Sequence, residues 1–255
     1  MMKSAERYWG KVLRPHWMLV CLLAWLANQH ALAVGDGVEG TEQLFGTWAN
    51  VVVTGRFGKD SPWIYYGDVS LRTTEQARPF PPEGQGYQVS SVITHDAVGY
   101  RFNENHSVHV GYAFAYSIPP LSLEPTNENR AWEQHTFALP TSAGDLQLRS
   151  RLEQRTVNIG SGTAIRFREM VRFSHPLNKE WSLVGSNELF INANTVDWGP
   201  VAGFDQNRVF VGVGYKIDSS LRAEVGYMNQ YINRDLNYDR DFHLLSLNLY
   251  VDVPN

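Results

Sequence analysis

The chain contains a single cysteine, Cys21, which lies inside an apolar run near the N-terminus. This run, Trp17 to Ala27, has 11 residues, whereas a helix needs about 20 apolar residues to span a bilayer. Four basic residues precede the run, and Ala31-Leu32-Ala33 fits the small-x-small rule for signal cleavage. We therefore predict a signal peptide over residues 1–33, cleaved after Ala33. The mature chain then has no cysteine and uses neither disulfides nor thiolate ligands.

After Ala33 the chain has no apolar run that approaches a transmembrane helix, and it has no helical periodicity. Removing residues 1–33 leaves 18 Lys and Arg against 25 Asp and Glu, so the mature net charge is −7. This charge argues against nucleic acid as a partner. The absence of long apolar runs does not exclude a membrane protein, because a membrane-spanning strand turns every second residue away from lipid.

Segments in which apolar residues alternate with small or polar ones fill most of the chain after residue 44. Such alternation predicts β-strands with one apolar and one polar face. We predict eleven strands, at residues 45–57, 62–74, 87–102, 106–118, 130–139, 145–157, 163–174, 181–192, 204–217, 220–232 and 241–253.

The connections between these strands alternate in length, with residues 158–162 as the exception. Short turns on one rim and long loops on the other are typical of bacterial outer-membrane barrels, which normally have an even number of strands. We therefore predict an all-β, antiparallel, up-and-down transmembrane β-barrel over residues 34–255, a single domain. Its short turns would be periplasmic and its longer loops extracellular. We predict ten to twelve strands, with twelve preferred. Residues 34–57 would be a plug, an edge-covering segment or a hidden hairpin.

Two hairpins share one layout and indicate which face points outward. Val98-Gly99-Tyr100 and Val110-Gly111-Tyr112 lie twelve residues apart, as do Gly214-Tyr215 and Gly226-Tyr227. Centring the hairpins at residues 105 and 220 pairs position 100 with 110 and position 215 with 225. The valines and tyrosines then share one face, and glycine and charged residues share the other. This predicts an apolar, aromatic outside and a polar lumen.

Three polar residues fall on the predicted apolar face. Thr94 and Asp96 do so in one strand, which predicts a bulge near Ala97. Glu169 does so in another, which predicts a bulge or a contact between copies of the chain.

A dense set of charged residues alternates along two neighbouring strands. Each Arg would cost about 2–4 kcal/mol if it pointed into lipid at the midplane, so we expect these side chains to point into the lumen. They would form either an ion-pair network that fills a narrow barrel or a constriction that attracts anions. The predicted lumen charge network comprises Arg149, Arg151, Glu153, Arg155, Arg166, Arg168, Arg172, Glu188, Asp205, Arg208 and Glu224.

No spacing in the sequence predicts a catalytic or metal site. A Ser–His hydrolase needs both side chains within hydrogen-bond reach on one face, but neighbours such as His106 and Ser107 face opposite ways on a strand. No pair of histidines or carboxylates stands out as metal ligands, and Gly160-Ser161-Gly162 lacks the following helix of a phosphate-binding loop. We therefore predict no enzymatic activity, no catalytic residue, no cofactor and no metal.

A series of ordered motifs resembles one bacterial family, the domain-of-unknown-function family numbered 2490, whose members are predicted outer-membrane β-barrels. The resemblance covers roughly residues 45–250. It implies a fold and a location, but no substrate and no activity. The motifs are RLEQR (Arg151–Arg155), IRFREMVRF (Ile165–Phe173), SNELFIN (Ser186–Asn192), GFDQNRVFVGVGY (Gly203–Tyr215) and EVGYMNQY (Glu224–Tyr231).

The sequence thus predicts a protein of the cell outer membrane. Its partners would be outer-membrane lipid and, during biogenesis, the barrel-assembly machinery. The expected function is non-enzymatic, either a narrow channel that favours anions or a structural or interaction protein. Two alternatives stay open: an outer-membrane lipid acyl hydrolase, and a soluble secreted β-sandwich whose valine and tyrosine face is buried against a second sheet.

Overall fold

The computed structural model describes residues 40–75, 87–119, 121–122, 124–234 and 239–254. The predicted signal peptide lies outside the described residues. Within these ranges, no helix has the length and apolar character needed to cross a membrane. The described residues form eleven strands: β1 (Thr41–Arg56), β2 (Trp63–Thr74), β3 (Gln88–Asn103), β4 (His106–Ser117), β5 (Thr126–Thr141), β6 (Gly144–Val157), β7 (Ala164–Pro176), β8 (Trp181–Asn192), β9 (Gly203–Lys216), β10 (Leu221–Ile232) and β11 (Asp239–Asp252).

The eleven strands close into one barrel, which confirms the all-β barrel prediction. Each strand pairs antiparallel with its neighbours in sequence, but β1 pairs in parallel with β11, from Thr41 beside Asp239 to Thr54 beside Asp252. An odd number of up-and-down strands leaves the first and last strands running in the same direction, so their pairing has to be parallel. The predictions of ten or twelve strands and of a purely antiparallel sheet are therefore wrong.

β1 lies within residues 34–57, for which the sequence predicted a plug, an edge-covering segment or a hidden hairpin. Residues Thr41–Arg56 form a complete strand between β2 and β11, not a plug, an edge cover or a hairpin. Leu44 and Trp48 are buried in the lumen, while Phe45 and Val51 on the other face are exposed. Because apolar residues occupy both faces of β1, the alternation that marks the other strands is weak here.

The two repeated hairpins have the predicted faces but not the predicted register. Tyr100 pairs with Val108 rather than Val110, and Tyr215 pairs with Ala223 rather than Val225. Both shifts are two residues, the side-chain period of a strand, so no side chain changes face. Val110 is 63% exposed and Tyr227 is 49% exposed, which confirms the apolar outside. The β-sandwich fold of the second alternative is wrong, because the described strands close into one barrel instead of two packed sheets.

The bulge expected near Ala97 is absent. The pairing of β3 with β2 and with β4 runs without a shift from Thr94 to Gly99, so Asp96 stays exposed on the outer face opposite Tyr112. No bulge occurs at Glu169 either. Its carboxylate accepts a hydrogen bond of 2.6 Å from the hydroxyl of Ser150, its directly paired neighbour on β6.

β5 extends beyond its predicted bounds of 130–139. Asn127, Glu128 and Asn129 pair with β4, and Glu128 and Asn129 also pair with β6. Their polarity made them resemble a loop, although pairing with the neighbouring strands holds them in β5.

The connections define two rims. The short-turn rim carries residues 57–62, 104–105, 142–143, 177–180 and 217–220, and the described part of the long-loop rim carries residues 75, 87, 118–119, 121–122, 124–125, 158–163, 193–202 and 233–234.

Candidate functional site in the lumen

The inward positions of β6 and β7 carry most of the predicted lumen charge network. Side-chain alternation along these strands points Arg151, Glu153, Arg166 and Arg168 into the barrel, where each is at least nine-tenths buried. All eleven residues of the predicted network take part in at least one ion pair.

Glu153 is the most enclosed carboxylate of the network, with no exposed surface. Arg166 donates to it from Nε at 2.9 Å and from Nη2 at 2.6 Å, and Arg168 donates from Nη1 at 2.6 Å. Arg151 lies 3.9 Å away. Two directly bonded guanidinium groups compensate the desolvation of this carboxylate, which would be costly if it were unpaired.

Glu188 on β8 is shared by three arginines. Arg168 donates to its Oε1 from Nε at 2.8 Å, Arg149 donates to the same oxygen, and Arg208 approaches its Oε2 at 3.9 Å. Arg168 therefore bridges Glu188 and Glu153, which joins the two halves of the network. Three guanidinium groups therefore surround the single carboxylate of Glu188.

Four further interactions, two at Glu128 and two at Asp68, were missed at the level of sequence. Glu128 accepts from Arg130 at 2.9 Å and also binds Arg155. Its role was hidden because residues 126–129 were interpreted as a loop. His95 Nδ1 lies 2.9 Å from Asp68 Oδ1, and the hydroxyl of Tyr66 donates to the other oxygen of this carboxylate. Asp68 lies on β2 and His95 on β3, so no spacing within one strand could have revealed this pair.

Aromatic rings and guanidinium groups of several strands stack on one another in the lumen. The guanidinium carbon of Arg72 lies 4.0 Å from the ring centroid of Phe242 and 5.2 Å from that of Trp48. Such contacts attract the cation to the ring face. We call this set of residues the lumen layer: Trp48, Arg72, Glu153, Arg168, Phe190, Arg208 and Phe242.

Arg208 completes the lumen layer, because its guanidinium group contacts the rings of both Trp48 and Phe190. Its guanidinium carbon lies 4.6 Å from the centroid of Trp48 and 4.6 Å from that of Phe190, and Arg168 lies 4.6 Å from Phe190. Side chains thus contact one another from β11 across β2, β1, β9 and β8 to β7.

An apolar cluster lies in the lumen toward the long-loop rim. Leu44, Trp48, Ile232, Phe242 and Leu244 form a buried apolar cluster, and Leu121 from the 118–125 connection packs against it. Burial and the neighbouring cation Arg240 lower the pKa of Arg234, which lies on this rim, to about 10.

On the other side of the lumen layer, a cavity of about 800 Å³ extends to the short-turn rim. Rim residues such as Arg56, Asn103 and Asp252 line its mouth, and Trp48, Arg168 and Arg208 of the lumen layer line it at depth. Within the described residues, the cavity thus opens at the short-turn rim and ends at side chains of the lumen layer, and we call it the blind cavity.

Polar contacts join loops on the long-loop rim, among them those between Ser161 and Asp197. The backbone N–H and the hydroxyl of Ser161 donate to Asp197 at 2.9 and 2.6 Å. These hydrogen bonds stabilise the ionised carboxylate and lower the pKa of Asp197.

A metal site does not emerge from the geometry. In the described part of the chain, no three His, Cys, Asp or Glu side chains are grouped so that they could hold a metal ion.

Comparison with known proteins supports the resemblance found in the sequence. The model of the family "Protein of unknown function (DUF2490)" matches residues 45–240. An uncharacterized protein of Methylorubrum extorquens is 32% identical over 237 residues, which cover 91% of this chain and 94% of that protein.

Proposed function

The chain belongs to the DUF2490 family of proteins of unknown function, and we propose that it is an outer-membrane β-barrel that does not form an open channel. The observation that carries this proposal is the lumen layer, which lies across a barrel with an apolar outer face. The barrel would insert with help from the barrel-assembly machinery and serve as a structural or interaction protein.

The outer face supports a membrane location. Valines, tyrosines and leucines such as Val211, Val225 and Leu247 are exposed along it, and an exposed apolar band around a closed barrel is what lipid requires. The strands contain 12 to 16 residues, and about 9–11 tilted residues suffice to cross the hydrocarbon core.

The lumen layer argues against conductance. Arg72 stacks on Phe242, and Arg208 stacks on Trp48 and Phe190. We expect these contacts to obstruct an ion that crosses the barrel. The excess of guanidinium groups would favour anions in an open pore, but the packed rings support a lumen that is closed to ions.

Two measurements test this proposal. Membrane fractionation with heat-modifiable migration on a denaturing gel tests the location, and a soluble, heat-insensitive protein would contradict it. Planar-bilayer recording tests closure. We expect no single-channel events from the unaltered protein, and regular anion-selective events would show that the lumen is open.

A lipid acyl hydrolase is the second candidate, and one observation on the outer face favours it. Ser150 on β6 is the direct cross-strand neighbour of both His135 on β5 and Glu169 on β7. Its hydroxyl donates to Glu169 at 2.6 Å, and His135 is hydrogen-bonded to His106. A groove of about 510 Å³ with Val110 and Phe167 in its walls contains these polar side chains. Serine, histidine and glutamate beside an apolar groove are the components of an acyl-transfer site.

The hydrolase candidate is tested with phospholipid in mixed micelles. Release of fatty acid that is lost in Ser150→Ala and retained in Ser182→Ala, a serine on β8 outside the groove, would support it. The absence of fatty-acid release by the unaltered protein, or full activity of Ser150→Ala, would exclude this serine mechanism.

A further inference from the structure

We infer that the blind cavity binds a water-soluble oxyanion with at least two negative charges, which enters from the short-turn rim. The ligand would carry phosphate or carboxylate groups. This inference goes beyond the proposed function, which concerns location and closure, and it can be tested without a membrane.

The charges that line the cavity are the first reason. Eight arginines and four carboxylates line it, an excess of four positive charges. Glu153 and Glu224, which bind lining arginines without lining the cavity themselves, reduce this excess to two. Uncompensated positive charge in a partly enclosed site attracts anions strongly, because field lines concentrate between the low-dielectric walls.

Unused hydrogen-bond donors are the second reason. Among the described residues, Nε of Arg149 and Nε of Arg208 are buried guanidinium donors without a hydrogen-bond partner. Both residues line the cavity. A buried donor without a partner is unfavourable, so these arginine side chains would gain hydrogen bonds by turning toward acceptor oxygens of a ligand in the cavity.

Arg151 is the central residue of the proposed site. It is 4% exposed, and its Nε and Nη2 donate to the neutral amide oxygen of Gln134 at 2.9 and 2.6 Å. Its nearest carboxylate, Glu153, lies 3.9 Å away, too far for a direct hydrogen bond. Arg149 points into the lumen two residues before it, and Arg168 is its direct neighbour on β7. Three guanidinium groups therefore lie around one part of the wall.

This arrangement selects the chemistry of the ligand. The planar fork of a guanidinium group matches two oxygens of a carboxylate or a phosphate. A volume of about 800 Å³ lies within the usual range for small-molecule sites. A ligand with two or more charged groups could contact Arg149 and Arg151 together, whereas a monovalent halide offers no such pair of oxygens.

Isothermal titration calorimetry of the purified full-length barrel in a zwitterionic detergent tests the inference, with pyrophosphate and citrate as separate probes. We expect saturable binding of at least one probe, weakened by added salt. Arg149→Gln and Arg151→Gln should each raise Kd by about tenfold or more, since each removes a charge-assisted hydrogen-bond donor. Lys179→Gln removes the same charge from the exposed 177–180 turn, outside the cavity, and should leave Kd unchanged.

Heat-modifiable migration of each variant shows whether the barrel has folded, so lost binding can be separated from lost structure. Binding of pyrophosphate alone would indicate a phosphate ligand, and binding of citrate alone a carboxylate ligand. The inference is overturned if neither probe binds, or if the folded Arg149→Gln/Arg151→Gln double variant binds as tightly as the unaltered protein.

Discussion

Replacing Glu153 by Gln should destabilise the barrel more than any comparable change at an exposed carboxylate. The substitution keeps the size of the side chain and removes its charge. Glu153 accepts three hydrogen bonds from Arg166 and Arg168 in a fully buried position. An amide has one acceptor oxygen and would turn its NH₂ group toward a guanidinium donor.

The expected loss of folding free energy depends on the ion pairs that Arg166 and Arg168 keep in the variant. Removing one partner from a buried ion pair costs about 3–5 kcal/mol, because the other charge is left uncompensated. Arg166 retains Asp205 at 3.0 Å, and Arg168 retains Glu188 at 2.6 Å. We therefore expect the lower end of the range, about 3 kcal/mol.

Urea titration of the barrel refolded in detergent, followed by tryptophan fluorescence and gel migration, measures this loss. With a slope of about 1–3 kcal/mol per molar urea, the midpoint should fall by about 1 M or more. Glu180→Gln, in the exposed 177–180 turn, is the matched control and should shift the midpoint little. A loss below about 1 kcal/mol for Glu153→Gln, or one equal to that of the control, would refute the reasoning that the network is held by buried charge.

Three further predictions follow from the structure. Gly212→Ala should cost about 1–3 kcal/mol of folding free energy, because a Cβ there would lie 2.4 Å from the carbonyl oxygen of Val225. Gly185→Ala, whose Cβ would meet nothing closer than 3.9 Å, should be tolerated in the same urea titration, and equal losses would contradict the steric argument. The contact between Ser161 and Asp197 should be pH-dependent. Since the folded-state pKa of Asp197 is lowered, its stabilisation is present above the unfolded-state pKa and is lost as pH falls through the lowered value. The protection factor of the Ser161 amide, its exchange rate relative to the intrinsic rate at the same pH, should fall at that acidic pH but stay unchanged in Asp197→Ala. A protection factor that does not change with pH would argue against the contact. Finally, replacing Trp48, Arg72 and Phe242 together by Ala should open the lumen layer and produce single-channel events in planar bilayers. Continued silence from a folded triple variant would mean that other side chains close the barrel.

Much of the fold could be predicted because it follows from local alternation. The exposed face that carries Val110 and Tyr227 was predicted from a period of two, and a two-residue error in both hairpin registers did not alter it. The strand count was wrong although eleven segments were recognised, because a general rule of even numbers was preferred to the pattern itself. A charged side chain on a lipid-facing surface is unfavourable, so Asp96 predicted a bulge and Glu169 predicted a bulge or a contact between copies of the chain. In the structure both remain on the regular ladder.

The candidate site was predictable only in part, since alternation tells which residues face inward but not which of them meet. The eleven network residues share the lumen, as their parity indicates. The links between Glu188 and its arginines depend on which strands lie side by side and at what height. Asp68 with His95 and Ser150 with Glu169 are cross-strand pairs of the same kind.

The sequence by itself determined the strands, their two faces and the family, because side-chain alternation and local motifs are properties of neighbouring residues. Only the tertiary structure decided the parallel closure of β1 on β11, the lumen layer, and the blind cavity on the short-turn side. These features require residues far apart in the chain, such as Arg72, Arg208 and Phe242, to reach the same height in the barrel. That height is set by the register of every strand pair in the closed sheet, which no single segment encodes.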